Sequence, residues 1–172
     1  MLAGAGAALF LLILDSFVYS RLNPPAHDHA HCIKVAWGML DQYAIEHDGR
    51  YPYHTNGYGD ALLMLTTNER DFKYFTAHGY RTEVFVDALR NGTDVPEDQV
   101  GRVYVQGLTT TNSSNIALIF DKTSRRGGRE VADGYVTDAE WPEFARRQVE
   151  LLVKAGIPRK VAEAYYAEEP RR

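Results

Sequence analysis

The segment from Leu2 to Tyr19, LAGAGAALFLLILDSFVY, constrains the fold most, because Asp15 is its only charge. As a helix it would extend roughly 27 Å at 1.5 Å per residue, close to the thickness of a bilayer's hydrocarbon core. Left in water, such a run is a large apolar liability, so lipid or protein must cover it. Three fates satisfy that demand: a retained membrane anchor, a cleaved secretory signal, or a helix buried in a soluble fold. No Lys or Arg precedes the run and no clear small-x-small site comes after it, which weighs against a cleaved signal. The expectation is therefore a single-pass anchor over residues 1–22, with membrane lipid as its first partner. Asp15 then either lies near the interface, is protonated, or is paired. Arg21 pulls weakly toward a cytoplasmic placement of the chain beyond the anchor. The polar stretch Ser20 to Pro25 forms a break.

The remaining residues suit one domain of α+β class. The chain's 172 residues are too few for two ordinary domains plus an anchor. A 45% hydrophobic share with 11 Tyr supplies a core, and a formal net charge of −4 argues against a nucleic-acid surface. The one cysteine, Cys32, excludes an internal disulfide. From Asp28 to His47 the spacing of Ile33, Ala36, Trp37, Leu40 and Ala44 predicts an amphipathic helix, stopped at Asp48-Gly49. Arg50 to Asp60 reads as an ordered Tyr-, Gly- and Pro-rich loop. Short helical pieces are expected at 61–66 and 69–75, and Thr82 to Val86 fits a strand or a helical turn. Arg102 to Gln106 and Ile116 to Phe120 read as strands. Lys122 to Glu130 reads as a charged loop, and Val131 to Thr137 as a possible third strand. Thr137 and Glu140 have capping-box spacing, with Asp138 as a competing cap. A helix bearing Phe144, Val149 and Leu152 comes next, then a last helix from Arg159 to Glu168 beyond Pro158. The division expected is an anchor over 1–22, an α+β head over 23–140 and a helical extension over 141–172.

One apolar helix, an amphipathic continuation and a small antiparallel sheet together resemble the plan of type IV pilins and type II secretion pseudopilins. His31-Cys32-Ile33 through Tyr43, running into His47-Asp48-Gly49-Arg50-Tyr51-Pro52, is similar to the helix-to-loop segment of prepilin-type proteins. Ile116 to Asp121, then Gly127-Gly128, then Ala132-Asp133-Gly134-Tyr135-Val136 resembles the end of the processing-associated H-x9-DG group. There Thr123 stands where the group has its His, and Tyr135 where a second His is found. The resemblance implies an envelope structural protein of the inner membrane. Its head would lie in the periplasm or otherwise outside the cytoplasm, with protein partners meeting the N-terminal helix. It also implies assembly residues: with Leu11 as a processed first residue, Asp15 stands in the place of the family's Glu, and Phe10 holds the place of its Gly.

Motifs for chemistry are sparse. No nucleophile elbow, zinc-protease helix or phosphate loop is present, no cofactor is expected, and the chain is not expected to be an enzyme. An enzyme would require a concave site joining His47, His54 or His78 to a carboxylate. His27, His29 and His31 offer a metal tract beside Cys32, but a polar helix start explains them as well. Asp121, Asp133, Asp138 and Glu140 offer oxygen ligands that equally suit turns. Arg125, Arg126 and Arg129 form a basic loop patch, and Tyr51, Tyr53 and Tyr58 either form a recognition surface or pack the loop. Tyr51, Tyr53, Arg125 and Arg126 are the interaction candidates.

Overall fold

A computed structural model describes residues 29–167 except His78, Ser113, Arg125 and Asp133, with only the backbone at 29–32. Phe10, Leu11, Asp15, His27 and the whole 2–19 segment lie outside the described residues. Among the described residues no helix is long and apolar enough to cross a membrane.

The first described helix, α1 (His29–Glu46), matches the expected amphipathic helix. Ile33, Ala36, Leu40 and Ala44 are fully buried, one stripe at helical spacing. Trp37, expected on that stripe, is instead 38% exposed on the flank. The helix stops where Asp48 and Gly49 turn left-handed, at φ 54° and 79°. The Gly49 amide then donates back to the carbonyl of Ala44 at 2.8 Å, which satisfies an orphan carbonyl of the last turn.

Two short helices come next, α2 (Tyr58–Leu63) and α3 (Glu83–Asn91), with a 3₁₀ turn at Glu69–Tyr74 between them. The Thr82–Val86 segment therefore belongs to a helix rather than a strand. A second 3₁₀ turn, Glu97–Gln99, leads into the sheet. Phe72, Phe75 and Phe85, all fully buried, cluster with ring centroids 5.4–6.4 Å apart, Phe72 stacked on Phe85 and Phe75 edge-on to Phe85, and join these pieces to the core.

The sheet is a four-stranded antiparallel meander in the order β1 (Arg102–Tyr104), β2 (Ile119–Asp121), β3 (Gly128–Val131), β4 (Gly134–Thr137). Every residue of β1 and β2 is buried, so both faces of that half are covered. Helix α1 packs against β2 and β3. Two expectations are corrected by this sheet. The presumed loop Lys122–Glu130 contributes β3, and the presumed single strand Val131–Thr137 is a hairpin, because Val131 pairs with Gly134. An Asp-Gly pair between alternating residues is a turn signal, and Gly134 at φ 154° takes a conformation that side chains disfavour.

Helices α4 (Trp141–Lys154) and α5 (Arg159–Tyr165) close the fold. Val103, Phe120 and Val131 are cross-strand partners, so they share one face of the sheet. On that face Tyr166 stacks on Phe120 at 4.8 Å and Trp141 lies 5.7 Å from it. Residues from α1 through Tyr166 thus form one hydrophobic cluster. Thr137 and Glu140 exchange the reciprocal bonds of a capping box, the Thr137 hydroxyl and amide donating to Glu140 Oε2 and the Glu140 amide donating to Thr137 Oγ1. Regular helix begins at Trp141. Asp138 serves the loop instead, accepting from Ser124 at 2.8 Å.

Candidate interaction groove

A groove of about 370 Å³ opens between α1 and the segment Leu108–Leu118. Its helix wall is Trp37, Asp41 and Ile45, one residue per turn on a single flank. Ile45 is 74% exposed, a large apolar residue left in solvent. The other wall carries Leu108, Thr109, Thr110, Asn112, Ser114, Ile116 and Leu118, with Tyr51 at the junction.

The walls are tied together by backbone and side-chain bonds. Tyr51 donates its amide to the Leu108 carbonyl, and Thr110 donates its amide to the Gly49 carbonyl at 2.9 Å. A β-bridge joins Arg50 to Thr109. Within the loop, Asn112 Oδ1 accepts from the Thr109 amide at 2.6 Å while the Asn112 amide donates to the Thr109 carbonyl, an Asx-type closure. The Tyr51 hydroxyl donates to Asp41 Oδ1 at 3.0 Å. Burial, and then the bond to Asp41 and its negative charge, push the Tyr51 phenol up to about 12. At neutral pH it therefore remains a donor and fixes the orientation of the Asp41 carboxylate.

The expected interaction residues are dispersed. Tyr51 lines the groove and Tyr53 stands exposed. Tyr58 is buried, its hydroxyl donating to the Glu97 carbonyl, so it packs the loop. Arg126 is exposed in a left-handed turn at φ 54°, and Arg125 lies outside the described residues. Arg129 does not share a basic surface with Arg126. It is buried with its guanidinium 4.1 Å from the Trp141 ring centre, because β3 turns it inward.

Of the histidines, His47 stacks on Tyr43 with its Nδ1 against the Tyr43 carbonyl. His54 Nδ1 sits 3.5 Å from Asp60 Oδ2, while Asp60 Oδ1 accepts from the Val95 amide. That pair holds the loop at His54 to the start of α2, which Asp60 in turn ties to the chain at Val95, and it does not line the groove. His78, Asp133 and the side chains of His29, His31 and Cys32 lie outside the described part of the chain. Asp121 pairs with Arg102, Asp138 with Ser124, and Glu140 with Thr137. Among the described residues no group of three His, Cys, Asp or Glu converges as a metal site.

Trp37, Asp41 and Asn112 are not singled out as site residues by sequence reasoning. A signal is present at Ile45, a large apolar residue that falls outside the predicted stripe of the amphipathic helix. No family model matches the chain, and no curated protein or solved structure matches it either.

Proposed function

We propose that this chain is a membrane-anchored, pilin- or pseudopilin-like structural protein of the cell envelope, contributing to a filament or a secretion assembly. The supporting observation is the placement of α1. An amphipathic helix lies along an antiparallel sheet with its buried stripe inward, and the chain preceding it carries the apolar segment Leu2–Tyr19. In this reading residues 2–19 hold the subunit in the inner membrane and the head lies outside the cytoplasm. On assembly the apolar helices pack against one another, and Asp15 pairs with a partner's N-terminal amine, since an unpaired charge in an apolar bundle is costly. No residue is assigned a catalytic role and no cofactor is invoked.

Mass spectrometry of the native N-terminus from a membrane fraction tests the reading. An N-methylated end at Leu11 supports prepilin-type processing, and an intact Met1 refutes that part. Asp15→Ala should abolish assembly, scored by cross-linking in membranes. Assembly equal to wild type would sink the Asp15 pairing.

A second reading has one observation in its favour. Trp37 and Ile45 stand exposed beside a groove on the helix itself, as suits an anchored accessory subunit that binds through its head and never polymerises. Cross-linked ladders of the chain with itself favour the first reading; a single heterologous product favours the second.

A further inference from the structure

The groove's lining is neither uniformly apolar nor charged in a way that suits an ion. Trp37 is 38% exposed where it lines the groove, and Leu108, Ile116 and Leu118 make the opposite wall partly apolar. Around them stand polar atoms of a different kind. Asp41 uses one carboxylate oxygen on Tyr51, and Asn112 uses its oxygen on Thr109. Asp41 Oδ2, the Asn112 side-chain amide and the Ser114 and Thr110 hydroxyls have no hydrogen-bond partner among the described residues. Among the described residues no Lys, Arg or His lines the groove, and the one charge there is the carboxylate of Asp41.

We propose that this groove binds a neutral oligosaccharide, with the pyranose ring's C–H face laid on Trp37 and its hydroxyls shared among Asp41, Asn112, Thr110 and Ser114. The size falls within the roughly 300–1,000 Å³ of small-molecule sites, which typically combine an apolar lining with a few placed polar groups. An indole face is electron-rich and attracts the polarised C–H bonds of a sugar ring. A carboxylate accepts from adjacent sugar hydroxyls while a carboxamide donates to them, so the set complements a ligand that both donates and accepts. An acidic sugar, a phosphate or a sulfate meets Asp41 with no counter-charge. An apolar peptide would bury these polar groups unpaired, which is unfavourable. A quaternary ammonium group satisfies Asp41 and Trp37 but leaves the amide and hydroxyls unmatched. The inference stands apart from the pilin-like reading, since the groove is built entirely within the head.

The test uses the full chain in a sugar-free amine-oxide detergent. The two tryptophans differ in access, Trp37 at 38% and Trp141 at 3% exposure, so iodide quenching of fluorescence reports chiefly on Trp37. Tetramers of β-1,4-N-acetylglucosamine, β-1,4-glucose and α-1,4-glucose are titrated to millimolar levels, beside choline and an apolar peptide as controls. At least one tetramer should protect Trp37 saturably. Binding, followed by calorimetry, should then weaken about tenfold or more in Trp37→Ala. Asn112→Asp keeps the oxygen that holds Thr109 and removes the amide donor, and should weaken binding roughly fivefold. Near-UV circular dichroism confirms that both variants are folded. The proposal is overturned if no tetramer binds, if choline or the peptide protects Trp37 instead, or if both folded variants bind like wild type.

Discussion

Arg102 is fully buried at the start of β1, directly across from Asp121 on β2. Its Nε donates to Asp121 Oδ1 at 3.1 Å and its Nη1 to the Tyr74 carbonyl at 2.6 Å, while Nη2 has no partner among the described residues. One side chain thus joins the sheet to the end of the 3₁₀ turn at Glu69–Tyr74. Arg102→Met removes the guanidinium and leaves the Asp121 carboxylate and the Tyr74 carbonyl without it, in a site where water is scarce. Breaking a buried pair in this way costs about 3–5 kcal/mol. At roughly 2–4 °C per kcal/mol for a chain of this size, the midpoint should fall by roughly 6–20 °C. Removing both charges is a different perturbation. The unmatched Nη2 already makes the pair an expensive way to fill the space, so Arg102→Met with Asp121→Leu should recover most of the loss. Thermal melts and urea titrations of the four proteins, followed by circular dichroism, form the double-mutant cycle. A single-variant cost below about 1 kcal/mol would place the pair with exposed salt bridges and refute the reasoning. A double variant no better than Arg102→Met would show that packing of the arginine stem, rather than charge compensation, carries the effect.

Gly38 lies on the outer side of α1, where an added Cβ meets nothing within 4 Å. Gly38→Ala should therefore raise stability by about 0.5–1 kcal/mol in urea titration, and a loss would mean that this flank is covered. A Cβ on Gly101 would sit 2.6 Å from the Ala77 backbone nitrogen, so Gly101→Ala should cost about 1–3 kcal/mol by overpacking, read as a lower thermal midpoint. Tyr51, Tyr104 and Tyr166 all have phenols raised above the ordinary value of 10.0, chiefly by burial. Above that pH the unfolded chain loses phenolic protons that the folded chain retains. Stability should thus be at its plateau below pH 10 and fall as pH rises toward 12 and beyond. A flat urea midpoint across that range would contradict the burial of these phenols.

Features that rest on local spacing are legible in the sequence. The stripe Ile33, Ala36, Leu40 and Ala44 identifies α1 and its buried face, because helical period alone decides it. Thr137 with Glu140 locates the start of α4 for the same reason. The β region is harder. Val103 and Val105 alternate with polar residues, which suggests a strand with one wet face, yet Arg102 and Tyr104 are buried too. A guanidinium hidden by a partner 19 residues away leaves no periodic trace. The hairpin at Gly134 hides its first strand, because Gly127 and Gly128 among Arg125, Arg126 and Arg129 have the composition of a loop. The groove is the least readable feature. Tyr51 stands out as an aromatic loop residue, but the wall opposite it is set by the bond from Thr110 to Gly49, a contact across 61 positions.

The stacking of Tyr166 on Phe120 also has a temporal side. The chain is synthesised from its N-terminus, so Ile33 and Leu40 emerge long before the ring that seals the far face of the sheet. At roughly 5–20 residues per second, the interval between Phe120 and Tyr166 is roughly 2–9 s. Throughout that time Phe120 and its strand neighbours lack their cover, and the nascent chain presents an open apolar face to whatever receives it. A premature stop before residue 166 makes that exposure permanent. Quality control acting on this chain would thus meet truncated products as sticky, half-roofed folds rather than as slightly shortened ones.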